Sequence, residues 1–259
     1  MTAVAMDRML DWCERFGRAG IFLAVGLWRV VTPPWNLYPA IRQIHFIGAR
    51  SLLVIVVAGL FVGMVVALQF YDTLVRFGSV ALLGAAVGLS LMRELGPVLT
   101  ALVIIGRAGS AICAELAIMR NENQIDALEC MAIDPFKYLI APRLLAAVIS
   151  VPLLTAIFIV VGIGGGYFVG VVLFGVSPGS YLGGMYDSVL WRDIGMGAAK
   201  SVAFGVLMIW VATAKGFYLH LHSSGALGAE GVSRTTTDAV VLASIAVLFA
   251  DYILSALIL

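Results

Sequence analysis

The chain has 259 residues, of which 62% are apolar and only 12% are charged, and its mean hydropathy is +1.05. Ordinary globular domains contain about 45–50% apolar and about 25% charged residues, so this composition indicates a multi-pass membrane protein. The net charge of +1 gives no reason to expect a nucleic-acid partner. Cys13, Cys113 and Cys130 are widely spaced and form no CxxC pair, which argues against a disulfide framework and a zinc site.

Residues 1–44 predict an interfacial amphipathic helix followed by a linker, without the pattern of a cleaved leader. Charged side chains recur every three to four residues and form one helical stripe, made of Asp7, Arg8, Asp11, Glu14, Arg15 and Arg18. The opposite side is covered by apolar side chains, namely Met9, Trp12, Phe16, Leu23 and Leu27. The apolar run 19–28 is too short to cross a bilayer, and TPPW at 32–35 breaks the helix.

Five later segments are long enough to cross a hydrocarbon core, which needs about 20 apolar residues. We therefore predict an all-α polytopic membrane protein whose transmembrane domain covers residues 45–259. The predicted spans are Ser51–Phe70, Val80–Gly106, Leu144–Gly175, Ile194–Ala214 and Ala239–Leu259.

Lys and Arg concentrate before span one and in the loops that join span two to three and span four to five. The two other loops carry only Arg76 and Arg192. Since cytoplasmic loops are enriched in Lys and Arg, we predict a cytoplasmic N-terminus and, after five spans, a C-terminus outside.

Glycines recur at a spacing of four residues in three of the spans. The pairs are Gly59 with Gly63 and Gly84 with Gly88, and a longer row contains Gly162, Gly166 and Gly170. Such rows let helix backbones approach closely in lipid. The alternative interpretation is that glycine is simply frequent in membrane spans.

Four charged residues lie well inside the predicted spans, namely Arg93, Glu94, Lys200 and Asp251. One unpaired charge at this depth costs about 2.5–3.5 kcal/mol, so four would cost on the order of 10 kcal/mol, as much as a typical fold is stable. Because the four charges sum to zero, we predict that Lys200 and Asp251 meet Arg93 and Glu94 across spans two, four and five. The network is then either a static clamp or the polar lining of a translocation pathway.

Residues 106–143 between spans two and three are too polar to span. One helical face carries Ile118, Ile125, Leu128 and Ala132, which predicts an amphipathic cytoplasmic helix over about 113–131 that needs a partner surface. Asp134-Pro135 marks its end. The alternative is a solvated connecting loop.

The stretch 89–143 contains RELGP at 93–97 and GRAGSAICAE at 106–115. It resembles the MlaE-type permeases, the family that works with MCE-domain proteins in phospholipid transport. The tail 231–257 also resembles this family, so the likeness covers about residues 45–259. The resemblance implies the permease subunit of an ATP-driven ABC transporter in the bacterial inner membrane. That transporter would move phospholipids between the inner and outer membranes and so maintain outer-membrane lipid asymmetry.

The resemblance also implies partners and site residues. The implied partners are a second permease copy, ABC ATPase subunits and a periplasmic ring of MCE subunits. The implied contacts with the ATPase fall on Glu115, Met119, Arg120, Gln124, Ile125, Asp126 and Leu128. The implied lipid cavity at the dimer axis falls on Val66, Gln69, Leu74, Phe77, Glu94 and Leu95.

This chain departs from the family pattern at three positions. Ala117 stands where members often have Gly, and Asn123 where an acidic residue is common, which puts individual ATPase contacts in doubt. Phe77 replaces a Tyr found in some members, so a hydrogen bond from a phenol would be absent.

The sequence contains no GxxxxGK[ST] motif, so we expect ATP to be bound and hydrolysed by another chain. We do not expect the permease itself to be an enzyme or to need a cofactor or metal of its own. His220 and His222 could suggest a metal, but two ligands do not make a site.

Two rival functions stay open at this point. An ion-coupled secondary transporter would use the charges of Arg93, Glu94, Lys200 and Asp251, although we find no convincing inverted repeat. An intramembrane enzyme acting on lipid is the other, but none of the three histidines lies near the buried charges in sequence.

Overall fold

The computed structural model describes residues 17–18, 20–30, 32, 37–219 and 228–258. All regular structure in this part of the chain is helical, and the five predicted spans are confirmed. Each span is longer than predicted, because its helix continues beyond the apolar residues that signal it. Spans one to five are Tyr38–Arg76, Val80–Asn121, Phe136–Leu173, Trp191–Phe217 and Ala229–Leu257.

Among the described residues, three shorter helices accompany the spans. They are the N-terminal helix Gly20–Val30, the connecting helix Gln124–Cys130 and the outer helix Pro178–Ser188 between spans three and four. The charged stripe predicted for the N-terminus lies almost entirely outside the described residues and stays a prediction.

The N-terminal helix packs against the ends of spans three and four. Phe22 is almost fully buried, and its ring centroid lies 5.1 Å from that of Phe136, 5.7 Å from Phe217 and 5.5 Å from Tyr218. Close-packed aromatic rings of this kind contribute more than their buried area alone. This aromatic cluster joins the N-terminal helix to the end of the bundle that also carries the connecting helix.

The single helix predicted over 113–131 is divided in two. Span two continues to Asn121, and the backbone then turns at Asn123, whose φ of 57° is left-handed. Asn tolerates this conformation better than most residues, which explains why the break falls there. The connecting helix ends at Cys130. Ala132, two residues later, is also left-handed with φ 58°, and the amide of Ile133 donates to the Leu128 carbonyl.

Span two is not a regular α-helix. It contains two π-helical turns, Leu91–Leu95 and Ile105–Gly109, and these turns coincide with the RELGP and GRAGSA sequences. Pro97 has no N–H, so the carbonyl of Arg93, four residues earlier, cannot receive the usual helical hydrogen bond. Single π turns of this kind are frequent at functional sites.

Glycine rows bring the helix backbones together within one chain. A Cβ added at Gly63 would overlap the backbone carbonyl of Gly162, and one added at Gly59 would lie 2.9 Å from the carbonyl oxygen of Phe158. Gly84 meets the backbone of the outer helix in the same way, at Tyr181. These rows are therefore packing surfaces between spans one and three and between span two and the outer helix.

Candidate functional site

The side chain of Lys200 is fully buried at the centre of a polar network that joins spans two, four and five. Its Nζ lies 2.7 Å from Glu94 Oε2, 2.9 Å from Asp251 Oδ1 and 2.7 Å from Ser255 Oγ. It also donates to the carbonyl oxygen of Arg93 at 3.0 Å. The predicted meeting of Lys200 with Glu94 and Asp251 is therefore present in the structure.

The local structure of span two explains why Lys200 bonds to this backbone carbonyl. Pro97 leaves the Arg93 carbonyl without its helical donor, and an unpaired carbonyl inside a membrane bundle costs several kcal/mol. The Lys200 ammonium group supplies the missing donor. Lys200 thus donates to the carbonyl that Pro97 leaves unpaired, and its charge also stabilises the carboxylates of Glu94 and Asp251.

The network is open on one side. The exposed fraction of the side chain is 39% for Glu94 and 20% for Asp251, against 0% for Lys200. One ammonium faces two carboxylates, so a formal charge of −1 stands at the accessible edge. A polar or cationic group of a ligand could approach Glu94 there without breaking into the bundle.

Arg93 joins this network only through its backbone carbonyl, and the prediction that its charge also takes part was wrong. Its guanidinium turns away from the Lys200 network and forms an ion pair with Asp193, whose Oδ1 lies 2.8 Å from Nε. Asp193 is the third residue of span four and also accepts a hydrogen bond from the amide of Leu190. The signal that could have revealed Asp193 is its position, because an acidic residue in the first turn of a helix serves as a cap.

Ser255 is the second residue that sequence reasoning missed. Its hydroxyl lies 3.0 Å from Glu94 Oε1 and also 2.8 Å from the Asp251 carbonyl one turn earlier. A serine in a membrane span carries no distinctive pattern, so only the fold could have assigned it to this network.

The six residues implied for a lipid cavity lie along the second half of span one and in the first π turn of span two. Val66 belongs to the core, Leu74 and Leu95 pack against it, and Gln69 is exposed. Phe77, just after the end of span one, is 76% exposed. The side chains that can reach a ligand or a second copy are therefore Gln69, Phe77 and Glu94.

The seven residues implied to contact an ATPase divide between the end of span two and the connecting helix. Ion pairs fix several of them: Glu115 Oε2 lies 2.9 Å from Arg143 Nη2, and Asp126 Oδ1 lies 2.6 Å from Arg120 Nη1. The Arg120 guanidinium also lies over the Phe217 ring, 5.5 Å from its centroid. The connecting helix is thus tied to spans two and four.

Burial sorts the remaining residues of this set. Ile125 is fully buried and holds the connecting helix on the bundle, so its own side chain is not available to a partner. Met119 and Leu128 are half-buried. The Gln124 amide is exposed and donates to Glu122 Oε2 at 2.6 Å.

Three exposed apolar side chains lie at the same end, and of these only Ile118 was singled out from the sequence. Ile118 is 45% exposed, Met131 62% and Ile133 38%. Ile118 lies near the end of span two, and Met131 and Ile133 follow the connecting helix, so the three flank that helix along the chain.

Among the described residues, no group of three or more His, Cys, Asp or Glu side chains is placed to hold a metal ion. His220 and His222 lie outside the described residues.

Five spans, a charged network buried where three of them meet and a tethered polar helix at one end define a multi-pass membrane protein of the transport class. The comparisons with known proteins agree. The sequence model described as Permease MlaE matches residues 40–257, and the chain belongs to this permease family.

Individual relatives show how widely the family extends. The chain is 43% identical to the intermembrane phospholipid transport system permease protein MlaE of Haemophilus influenzae, over 96% of this chain and 94% of that protein. It is 38% identical to a probable ABC transporter permease protein of Rickettsia prowazekii, over 96% and 93%. It is 33% identical to the chloroplastic protein TRIGALACTOSYLDIACYLGLYCEROL 1 of Arabidopsis thaliana, over 83% of this chain and 60% of that protein.

Proposed function

We propose that this chain is the permease subunit of an ATP-driven ABC transporter that moves phospholipids between the inner and outer membranes. Family membership and the names of the Haemophilus and Rickettsia relatives support this function. The observation that carries the proposal is the half-exposed carboxylate of Glu94 at the edge of a buried charged network. A membrane protein keeps such groups at depth where a polar ligand must pass.

In this proposal the lipid headgroup meets Glu94 while its acyl chains lie against span one. Glu94 is held by Lys200 and Ser255, so its orientation is set before a ligand arrives. Phe77 supplies exposed apolar surface just after the end of span one. A second copy of the chain would close the cavity, with the dimer axis between spans one and two of each copy.

The ATPase subunit would bind at the connecting helix. The exposed side chains of Ile118, Met131 and Ile133 offer it apolar contacts, and Gln124 and Asp126 offer polar ones. ATP binds to the ATPase subunit and not to this chain. Closure of the ATPase subunits would move the connecting helix. Span two runs as one continuous helix from that end to the π turn that carries Glu94, so a displacement there reaches the lipid site.

The remaining expectations complete the assembly. The distribution of Lys and Arg supports a connecting helix in the cytoplasm of a bacterial cell and an outer helix in the periplasm, with the N-terminus inside and the C-terminus outside. A ring of MCE subunits would then sit on the periplasmic face. The multi-pass fold itself is consistent with residence in the inner membrane.

Lipid retention and ATPase retention test this function separately. The chain is co-purified with its ATPase subunits, and bound lipids are identified by mass spectrometry in wild type, Glu94→Ala and Phe77→Glu. Tyr186→Glu is the matched control, because Tyr186 is 85% exposed on the outer helix and is not part of the proposed cavity.

We expect phospholipid in wild type and in the control, and its loss in both cavity variants with the ATPase still bound. Lipid retained in all four proteins would contradict the cavity. Absence of the ATPase from wild type would contradict the ABC assembly and favour ion-coupled transport through the charged network.

A further inference from the structure

A group of basic side chains surrounds the bend in span one. The helix Leu37–Ile47 ends there, and a single tight turn, Ala49–Ser51, leads into the helix Leu52–Arg76. The group consists of Arg42, His45 and Arg50 from span one and Arg107 from the second π turn of span two.

Phe46 is the centre of this group. The guanidinium carbons of Arg50 and Arg107 both lie 5.6 Å from the centroid of its ring. Arg42 is one helical turn earlier and is exposed, as is His45. Two guanidinium groups near the same ring repel each other, so an anion bound between them would be favoured electrostatically.

Arg107 is fixed in place by the bend itself. Its Nη1 donates to the carbonyl oxygen of Phe46 at 3.1 Å and to Ser51 Oγ at 2.6 Å. Both protons of Nη1 are thereby used. Among the described residues, nothing accepts a hydrogen bond from its Nη2 or Nε, and these donors remain for a ligand.

In the part of the chain that the structure describes, no carboxylate forms an ion pair with the group. Among the described residues, the ion pairs of the chain leave out Arg42, Arg50 and Arg107. Arg76, at the other end of span one, is by contrast paired with Asp72 at 2.8 Å. The unbalanced positive charge is therefore a local property of the bend.

The depth of the group matches the headgroups of a bilayer. The apolar run of span one begins at Leu52, and that of span two ends at Ile105, so Arg50 and Arg107 lie two residues outside the two runs. Thirteen residues of helix separate Arg107 from Glu94, which is a rise of about 20 Å. The basic group is therefore a different site from the Glu94 network.

We propose that the group of Arg42, His45, Arg50 and Arg107 binds the phosphate of an anionic phospholipid from the leaflet on the side of the connecting helix. Guanidinium groups match phosphate oxygens in geometry and charge. Basic pockets between spans at the cytoplasmic side are suited to anionic headgroups. Binding here requires no transport and does not depend on the proposed function.

Native mass spectrometry of the full chain in detergent tests the site, with phosphatidylglycerol and phosphatidylcholine as the two probes. The variants are Arg50→Gln and the double variant Arg42→Gln/Arg50→Gln, both at exposed positions where folding should be unaffected. Arg76→Gln is the control, since it removes the same charge from the opposite end of span one.

We expect the affinity for phosphatidylglycerol to fall about fivefold for each arginine removed, with phosphatidylcholine unaffected and Arg76→Gln like wild type. Equal affinities in wild type and the double variant would overturn the proposal. So would an equal loss in Arg76→Gln, which would show a general charge effect. Displacement of the lipid by an equal concentration of inorganic phosphate would show that the site takes free phosphate instead.

Discussion

Replacing Lys200 by methionine tests the buried network most directly. Methionine keeps most of the length and volume of the side chain but removes its charge and its donors. In the variant, Glu94 and Asp251 would face each other with only Ser255 between them. The carbonyl of Arg93 would again lack a donor.

The expected cost follows from burial. Removing one partner of a buried ion pair costs about 3–5 kcal/mol. Water reaches part of Glu94 and Asp251, so we expect the lower end, about 3 kcal/mol, for Lys200→Met. Asp251→Asn leaves Lys200 paired with Glu94 and should cost about 1.5 kcal/mol, as for a hydrogen bond to a charged group.

The double variant Lys200→Met/Asp251→Asn separates the ion-pair energy between the two residues from the simple loss of their other contacts. Once Lys200 is gone, the Asp251 charge only repels Glu94, so Asp251→Asn should then cost nothing or restore stability. We expect a coupling energy of at least about 1.5 kcal/mol, measured from unfolding midpoints in detergent. The control pair is Arg76 with Asp72, which has an N–O distance of 2.8 Å but exposed side chains, and should couple by less than about 1 kcal/mol.

Two results would refute this reasoning. One is that the losses of stability from Lys200→Met and Asp251→Asn simply add in the double variant. The other is an equal coupling energy in this pair and in the exposed control pair. Transport measured on the same proteins decides between the two interpretations of the network. Recovery of transport in the double variant identifies a static clamp, and its loss in a folded double variant identifies a lining of the pathway.

Three further changes test other parts of the fold by the same unfolding measurement. Gly63→Ala should destabilise the chain strongly, because the added Cβ overlaps the Gly162 carbonyl, whereas Gly164→Ala, with open space around it, should change little; equal effects would contradict the glycine packing. Ala132→Gly should stabilise by about 1 kcal/mol, since its left-handed backbone no longer carries a Cβ, and a loss of stability would contradict that strain. Burial raises the pKa of Tyr181 to about 12, so its neutral phenol stabilises the fold fully below pH 10. Tyr181→Phe should cost about 1 kcal/mol at neutral pH, and this deficit should shrink as pH rises from 10 toward 12; a constant deficit would contradict the buried phenol.

The number of spans could be predicted from the sequence because hydropathy is strong in each of them, but their ends could not. Hydropathy reports which residues lie in oil, whereas a helix continues for as long as its backbone hydrogen bonds do. Span two therefore runs to Asn121, well past the predicted end at Gly106. The break after it depends on the left-handed backbone at Asn123, which no hydrophobic pattern reports.

The part of the candidate site that depends on charge balance could be predicted from the sequence. The high cost of unpaired charge in lipid was enough to bring Lys200 together with Glu94 and Asp251. It was not enough for Arg93, because the predicted span four began one residue after Asp193 and so left that carboxylate in a loop. The freed carbonyl and the second π turn depend on backbone detail that a search for spans does not include.

The adjacent Arg93 and Glu94 now have a geometric explanation. Neighbouring residues on a helix point about 100° apart, so one faces Asp193 and the other Lys200. These two partners are seven residues apart and lie on one face of span four, about 10 Å from each other along its axis. A slide of span four by one helical turn would break both ion pairs at once. A motion that opens the proposed lipid site would therefore carry spans two and four together at this level, or exchange the partners of both charges in one step.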